Sequence, residues 1–334
     1  MNKVQKQFLV SLFPEVRFSE ILANHCTFRI GGPADAFIEI KKLDARSRKN
    51  LTSLFKFLNK SNIPFFVLGG GSNVLFNDKG FRGVVVKITA NEISIKSDQQ
   101  NWLEASSGVN LQFLTKQANE KGFQNLLQFA GIPGTLGGAV RGNAGANGIE
   151  IKDVLVSAKI LNTKTGAIKT FTNKQLKFTY RNSYIKKNPH LIVLSAKLKL
   201  QKFSKKEAEE KSELIAKLSN RRKETQPWGL SAGSFFKNPN PSNHPTLTPD
   251  QFKAGYLIDQ CGLKGTRIDG AIISEKHANF FQNLNDPLNP ATQKDILALA
   301  TKARKAVYKK FKIRLEEEVQ IVPHSPKSPK KFKK

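Results

Sequence analysis

Residues 128–148 read Gln-Phe-Ala-Gly-Ile-Pro-Gly-Thr-Leu-Gly-Gly-Ala-Val-Arg-Gly-Asn-Ala-Gly-Ala-Asn-Gly. Six glycines fall between Gly131 and Gly145. Glycine costs a helix or strand about 0.5–1 kcal/mol per position relative to alanine, so no ordinary element is expected here. A chain keeps such a run where backbone must approach something closely or take φ > 0. A long surface loop is the competing reading. Against it, Ile132, Leu136, Ala139, Val140 and Ala144 are apolar, which marks the stretch as buried. Buried backbone with bare amides and little side-chain bulk suits a flat ring or a phosphate.

The chain has 334 residues, enough for roughly two or three domains with their own cores. Its apolar fraction of 39% and charged fraction of 24% are those of a soluble globular protein. No apolar run approaches the roughly 20 residues of a membrane span. Residues 1–10 lack the apolar core and cleavage site of a signal peptide. A cytoplasmic protein without membrane insertion is expected. Cys26 and Cys261 are the two cysteines, far apart and in no metal-like spacing. Reduced thiols and no metal site follow. The net charge of +29 raises the possibility of a nucleic-acid partner. The lysines are spread along the whole chain, however, and no nucleic-acid-binding signature is present. A compositional bias without a nucleic-acid partner is the expectation. The basic tail, residues 324–334, is expected to be disordered.

Hydrophobic period and turn chemistry give the elements. Residues 1–20 are weakly patterned. Residues 36–40 alternate as a strand, and Leu51, Leu54, Phe55 and Leu58 recur at helical spacing over residues 44–60. Residues 65–68 form a buried strand that runs into Gly69, Gly70, Gly71, Ser72 and Asn73. Three consecutive glycines expose successive amides, a nest suited to phosphate. No Gly-Lys-Ser/Thr follows, and the dinucleotide fingerprint is absent. Residues 84–88 and 103–105 read as strands. Asn110 caps a helix that Gly122 ends. Residues 154–161 and 168–171 form a hairpin, residues 191–200 a strand. Ser204 with Glu207 opens a helix to about Arg222. A short helix over residues 254–261 is closed by Gly262, and Thr292 with Asp295 opens the last helix. Residues 314–322 read as a strand, with Glu316 and Glu318 on one face and Glu317 on the other.

Two further stretches carry chemistry: Thr179-Tyr180-Arg181-Asn182-Ser183-Tyr184 and Ser231-Ala232-Gly233-Ser234-Phe235-Phe236-Lys237-Asn238-Pro239. Ser234 follows a glycine, but there is no Gly-x-Ser-x-Gly elbow and no histidine linked to it as a base. A hydrolase triad is not expected.

These motifs, in this order, resemble the UDP-N-acetylenolpyruvoylglucosamine reductase family, from about Leu22 to Val322. The resemblance rests on residues 27–35, 69–73, 131–148, 180–183 and 233–239, with further matches at 254–262, 274–281 and 315–319. It implies an α+β chain. A two-part FAD-binding domain of the p-cresol methylhydroxylase and vanillyl-alcohol oxidase type would precede a C-terminal α+β substrate-binding domain. The expected divisions are 20–90 and 91–203 for the FAD-binding parts, 204–313 for the substrate domain, and 314–323 for a final strand carrying Glu318.

The resemblance also implies FAD, held non-covalently, and NADPH as hydride donor. The reaction is reduction of UDP-N-acetylglucosamine enolpyruvate to UDP-N-acetylmuramate in peptidoglycan synthesis. Gly69, Gly70, Gly71, Ser72 and Asn73 would hold the pyrophosphate. Ile132, Pro133, Gly134, Thr135, Gly137, Gly138, Asn143 and Gly145 would lie along the flavin. Arg181, Ser234 and Glu318 fall on the catalytic positions, and Tyr180, Arg181, Ser234 and Asn238 on substrate contacts. Partners are a UDP-sugar and NADPH, and the chain is expected to be a monomer. Glu317 stands where the family commonly has proline. Only Gln201, Lys202 and Phe203 separate the strand ending at 200 from the cap at Ser204, so no tyrosine-bearing lid fits and the chain sorts with the short-loop subgroup.

The residue types suit that chemistry. Hydride addition to a vinyl-ether carboxylate builds charge on the carbon next to the carboxylate. A donor aimed there is typically worth about 3–4 kcal/mol. Arg181 offers a fixed charge and a bidentate fork. Glu318 would help as a buried, protonated donor. The Ser234 hydroxyl can protonate a strongly basic carbanion. Two other readings compete. A flavoenzyme oxidising alcohols on the same fold often attaches its flavin to histidine, and no histidine lies between His25 and His190. A basic nucleic-acid-binding protein would show a steep salt dependence and no yellow colour.

Overall fold

The computed structural model describes residues 1–96, 101–146, 148–204, 224–240 and 250–325, single positions between 206 and 220, and position 248. It opens with α1 (Lys3–Leu12), β1 (Arg17–Ile21), β2 (Pro33–Ile40), α2 (Ala45–Lys60), β3 (Phe65–Leu68), β4 (Val74–Phe76) and β5 (Phe81–Ile88). The sheet order is β1-β2-β5-β3, with β2, β5 and β3 parallel and β1 antiparallel. Leu51, Leu54, Phe55 and Leu58 of α2 are buried and pack on Ile38, Ile40, Val84 and Val86. Phe37, Phe81 and Val85 face another core on the opposite side. Both faces of β2 and β5 are thus covered, which is why they read as near-continuous apolar runs.

The second unit comprises β6 (Ile93–Lys96), β7 (Trp102–Ser106), α3 (Leu111–Glu120), α4 (Leu136–Gly142), the short pair β8 (Gly145–Ala146) and β9 (Ile149–Glu150), α5 (Ile151–Val154), β10 (Leu155–Asn162), β11 (Ile168–Thr172), α6 (Tyr184–Lys187) and β12 (Leu191–Lys199). Its antiparallel sheet runs β11-β10-β12-β7-β6. One face is covered by Leu114, Leu136 and Val140 of α3 and α4. From the other face Leu161, Ile192 and Leu194 join the core of the first unit.

The third unit has α7 (Ala254–Asp259), β13 (Arg267–Ile268), β14 (Ala271–Ile273), β15 (Phe281–Asn283) and α8 (Gln293–Phe311). Ile296, Leu299, Ala300, Ala303 and Val307 form the buried stripe of α8, and Thr292 with Asp295 completes its capping box. The chain then returns to the first unit through β16 (Gln320–Val322), which pairs in parallel with β4.

Several expectations are corrected. Residues 1–20 are not featureless: Asn2 and Gln5 cap α1, and Phe8 stacks on Phe57 at 4.1 Å. α1 thus packs against α2. The glycine-rich stretch contains a helix after all. Thr135 caps α4, and Leu136, Ala139 and Val140 are buried. Gly137 is there for packing, since a Cβ on it would lie 2.7 Å from Ser107 Cβ. Burial and capping outweigh the glycine propensity cost. The final strand is shorter than the spacing predicts: Glu317 makes an isolated bridge to Phe236, and regular pairing starts only at Gln320. Glu318 therefore precedes that strand. His324 is docked, its backbone carbonyl accepting from the Arg82 amide at 2.8 Å. Tail residues 326–334 lie outside the described residues, as does much of the helix expected after Ser204, although the Ser204–Glu207 capping bonds form.

Candidate functional site

The two glycine-rich stretches meet. A Cβ on Gly70 would lie 2.9 Å from Gly134 Cα, and one on Gly69 2.5 Å from Thr135 Oγ1. Gly71 takes φ +70, and a Cβ there would strike the His25 carbonyl oxygen at 2.0 Å. Gly134 takes φ +119. The Ser72 hydroxyl donates to the Pro133 carbonyl at 3.1 Å and ties one stretch to the other. Among the described residues, the amides of Gly70, Gly71, Ser72 and Asn73 meet no protein acceptor. Four amides without protein acceptors in one loop have the geometry that suits an anion.

Asn73 carries the link onward. Its Nδ2 donates to the Glu318 carbonyl oxygen at 3.2 Å, and its own carbonyl accepts from the Gln320 amide at 3.1 Å. On the other side, the Glu318 amide donates to the Phe235 carbonyl at 2.8 Å. Residues 234–237 lie against Phe280 and Glu317. Asn279 fixes this segment, its side chain accepting from the Phe236 amide and donating to the Phe236 carbonyl. Phe235 stacks on Phe281 at 4.7 Å. Gly233 takes φ +73 with open space where a Cβ would be. Ser234 thus sits one residue from the backbone contact that holds Glu318.

Arg181 arrives from the second unit. Its Nε is 2.9 Å from Glu318 Oε1, its Nη2 donates to the Gly145 carbonyl at 2.9 Å, and its guanidinium lies 5.0 Å from the Tyr180 ring centre. Glu150 Oε1 stands at 3.8 Å. Burial pushes the Tyr180 hydroxyl up, with the Asn238 backbone beside it, and Asn238 Oδ1 accepts from the Ala254 amide at 3.0 Å. Arg181, Glu318, Tyr180, Asn238 and the segment holding Ser234 therefore converge from three regions of the chain. The three acids have separate partners: Glu316 pairs with Lys237, Glu317 with Arg304 of α8, and Glu318 with Arg181.

Asn143 is placed differently from its expected role. It is fully buried in a left-handed conformation, φ +47. Its Nδ2 donates to Glu150 and to the Thr179 carbonyl, and its Oδ1 accepts from the Lys152 amide. Its side chain braces α5 and the turn before Arg181, and its amide donates to the Ala139 and Val140 carbonyls at the end of α4. Ile132 packs at the edge of the second core.

Charge around Glu318 is dense. Burial pushes its carboxyl above the ordinary range, against the pull of Arg181, Lys186 and Lys237. Burial pushes the Lys186 ammonium down, helped by Arg141 and Lys237. Burial also lowers Arg141, which makes no ion pair among the described residues. Arg141, Glu150 and Lys186 were missed by the sequence reading. Lys186 follows Arg181 by five positions, and that proximity was the available signal. Among the described residues no His/Cys/Asp/Glu group could hold a metal ion, and no helix is long and apolar enough to cross a membrane.

Residues 43–172 match the FAD binding domain model, and residues 225–322 match the model of the UDP-N-acetylenolpyruvoylglucosamine reductase C-terminal domain. The UDP-N-acetylenolpyruvoylglucosamine reductase of Alkaliphilus oremlandii is 39% identical over 323 residues, covering 96% of each chain. That of Bacillus subtilis is 36% identical over 328 residues, covering 96% of this chain and 99% of the relative. The crystal structure of the reductase (MurB) from Thermus caldophilus superposes with a TM-score of 0.72 at 31% identity, covering 92% of this chain and 99% of that one. With its matched domains in that order and relatives alike over nearly their whole length, the chain belongs to the UDP-N-acetylenolpyruvoylglucosamine reductase family.

Proposed function

We infer that this chain reduces UDP-N-acetylglucosamine enolpyruvate to UDP-N-acetylmuramate in peptidoglycan synthesis, with bound FAD and with NADPH as hydride donor. The observation that carries the site assignment is the Arg181–Glu318 pair held beside two interlocked glycine loops. The residues present fit FAD: four amides of residues 70–73 are free for a pyrophosphate, and the 132–145 stretch offers backbone with little bulk. FAD held there would supply the hydride chemistry that links the nicotinamide to the terminal alkene carbon of the substrate.

The chain's own residues do the rest. Arg181 holds the substrate carboxylate and stabilises the charge that grows into it. Glu318, whose carboxyl burial pushes above the ordinary range, would when protonated donate to the same developing charge rather than oppose it. The Ser234 hydroxyl gives its proton to the carbon next to the carboxylate, completing the lactyl ether. Phe235 and Phe236, buried behind it, keep water away from the transfer. Tyr180 and Asn238 line the substrate's approach. We propose a cytoplasmic monomer, to be checked by sedimentation.

The test is spectroscopic. Purified protein should be yellow, bleach on anaerobic addition of NADPH, and recover its colour when the enolpyruvyl substrate is added. Bleached protein that stays colourless with that substrate contradicts the reading.

A further inference from the structure

Arg181 takes φ +53, a left-handed conformation that residues with a Cβ avoid. The turn around it is closed by reciprocal bonds between the Thr179 and Asn182 backbones, at 3.1 and 3.0 Å. That turn alone leaves the Arg181 carbonyl unpaired. Lys186 supplies the partner: its Nζ donates to the Arg181 carbonyl oxygen at 2.8 Å. Lys186 is itself held. It lies in α6, whose cap Ser183 is fully buried, accepts from the Lys186 amide at 3.2 Å and donates to the Arg141 carbonyl at 2.7 Å.

An ammonium placed here works against burial and against Arg141 and Lys237 nearby. The bond to the Arg181 carbonyl offsets that cost. We infer that Lys186 is a positioning residue: by bonding the Arg181 carbonyl it fixes the left-handed turn that aims the Arg181 guanidinium at Glu318 and at the substrate carboxylate. The inference rests on the reading of Arg181 as the carboxylate-binding group.

The experiment uses the full-length flavoprotein and two ligands that differ in the lactyl carboxylate. UDP-N-acetylmuramate carries it and UDP-N-acetylglucosamine does not. Dissociation constants come from perturbation of the flavin spectrum. Lys186→Met should lower the preference for UDP-N-acetylmuramate about tenfold, the scale of one charge-assisted bond, while binding of UDP-N-acetylglucosamine is unchanged. Reoxidation by the enolpyruvyl substrate should slow in step, with bleaching by NADPH unaffected. Lys186→Arg, which can still donate, should restore most of the preference. A merely structural role would weaken both ligands alike. If Lys186→Met discriminates like the unaltered protein while Arg181→Ala does not, the positioning role is overturned and the reading of Arg181 stands. If Arg181→Ala itself keeps the full preference, both fall. Should Lys186→Met lose its flavin, Lys186→Arg decides alone: yellow protein without the preference overturns the role.

Discussion

Arg181 Nε lies 2.9 Å from Glu318 Oε1, yet burial keeps the Glu318 carboxyl above its ordinary range. Desolvation outweighs the ion pair, as it does for many buried carboxyls. An acid raised in this way holds its proton more tightly in the folded chain than in the unfolded one. Its contribution to stability is full at low pH and is lost as pH rises from the ordinary glutamate range through the raised value. Glutamine cannot ionise. The melting temperature of Glu318→Gln, taken relative to the unaltered protein, should therefore climb across that interval. A difference that stays flat with pH, measured by thermal melts in a pH series, sinks the claim. In the oxidative half-reaction the same substitution should remove the alkaline fall in rate.

Arg181→Ala should leave bleaching by NADPH largely intact and slow reoxidation by the enolpyruvyl substrate by orders of magnitude. The guanidinium's role begins when the substrate carboxylate gains charge. Stopped-flow traces of each half-reaction separate the two. Equal losses in both point to a structural role instead.

Ser234→Ala should lower kcat steeply, because the proton source is gone. The rival role, a simple contact with ordered water as the acid, predicts a raised KM with little change in kcat. Ser234→Cys should recover part of the rate, since a thiol with pKa about 8.5 still donates. In Ser234→Ala, label from reduced flavin or solvent should scramble into recovered enolpyruvyl substrate. Turnover near normal with only a weaker KM removes Ser234 as the acid.

Gly70→Val should give colourless protein. Any Cβ there meets Gly134 Cα at 2.9 Å, so the two loops must part. Overpacking of this kind typically costs about 1–3 kcal/mol. Retained flavin at normal stoichiometry would show that the loops are not the cofactor cradle. In the unaltered protein, acid precipitation should release all flavin to the supernatant; colour in the pellet would mean a covalent link.

The sequence by itself determined what depends on local geometry. Glycine runs at 69–71 and 131–145 marked backbone with special conformations, because only glycine takes φ +70 at Gly71 against the His25 carbonyl. The stripes of α2 and α8 followed from the helical period. Tertiary structure alone decided what depends on contacts between distant segments. Leu136 and Val140 could make a glycine-rich stretch helical only once a sheet stood ready to bury them. Asn143 was open for a ligand until Glu150, Thr179 and Lys152 occupied its side chain. The raised proton affinity of Glu318 is the clearest case. A glutamate is an ordinary acid in any sequence, and its proton affinity changes only when folding removes water and brings Arg181 and Lys186 to its side.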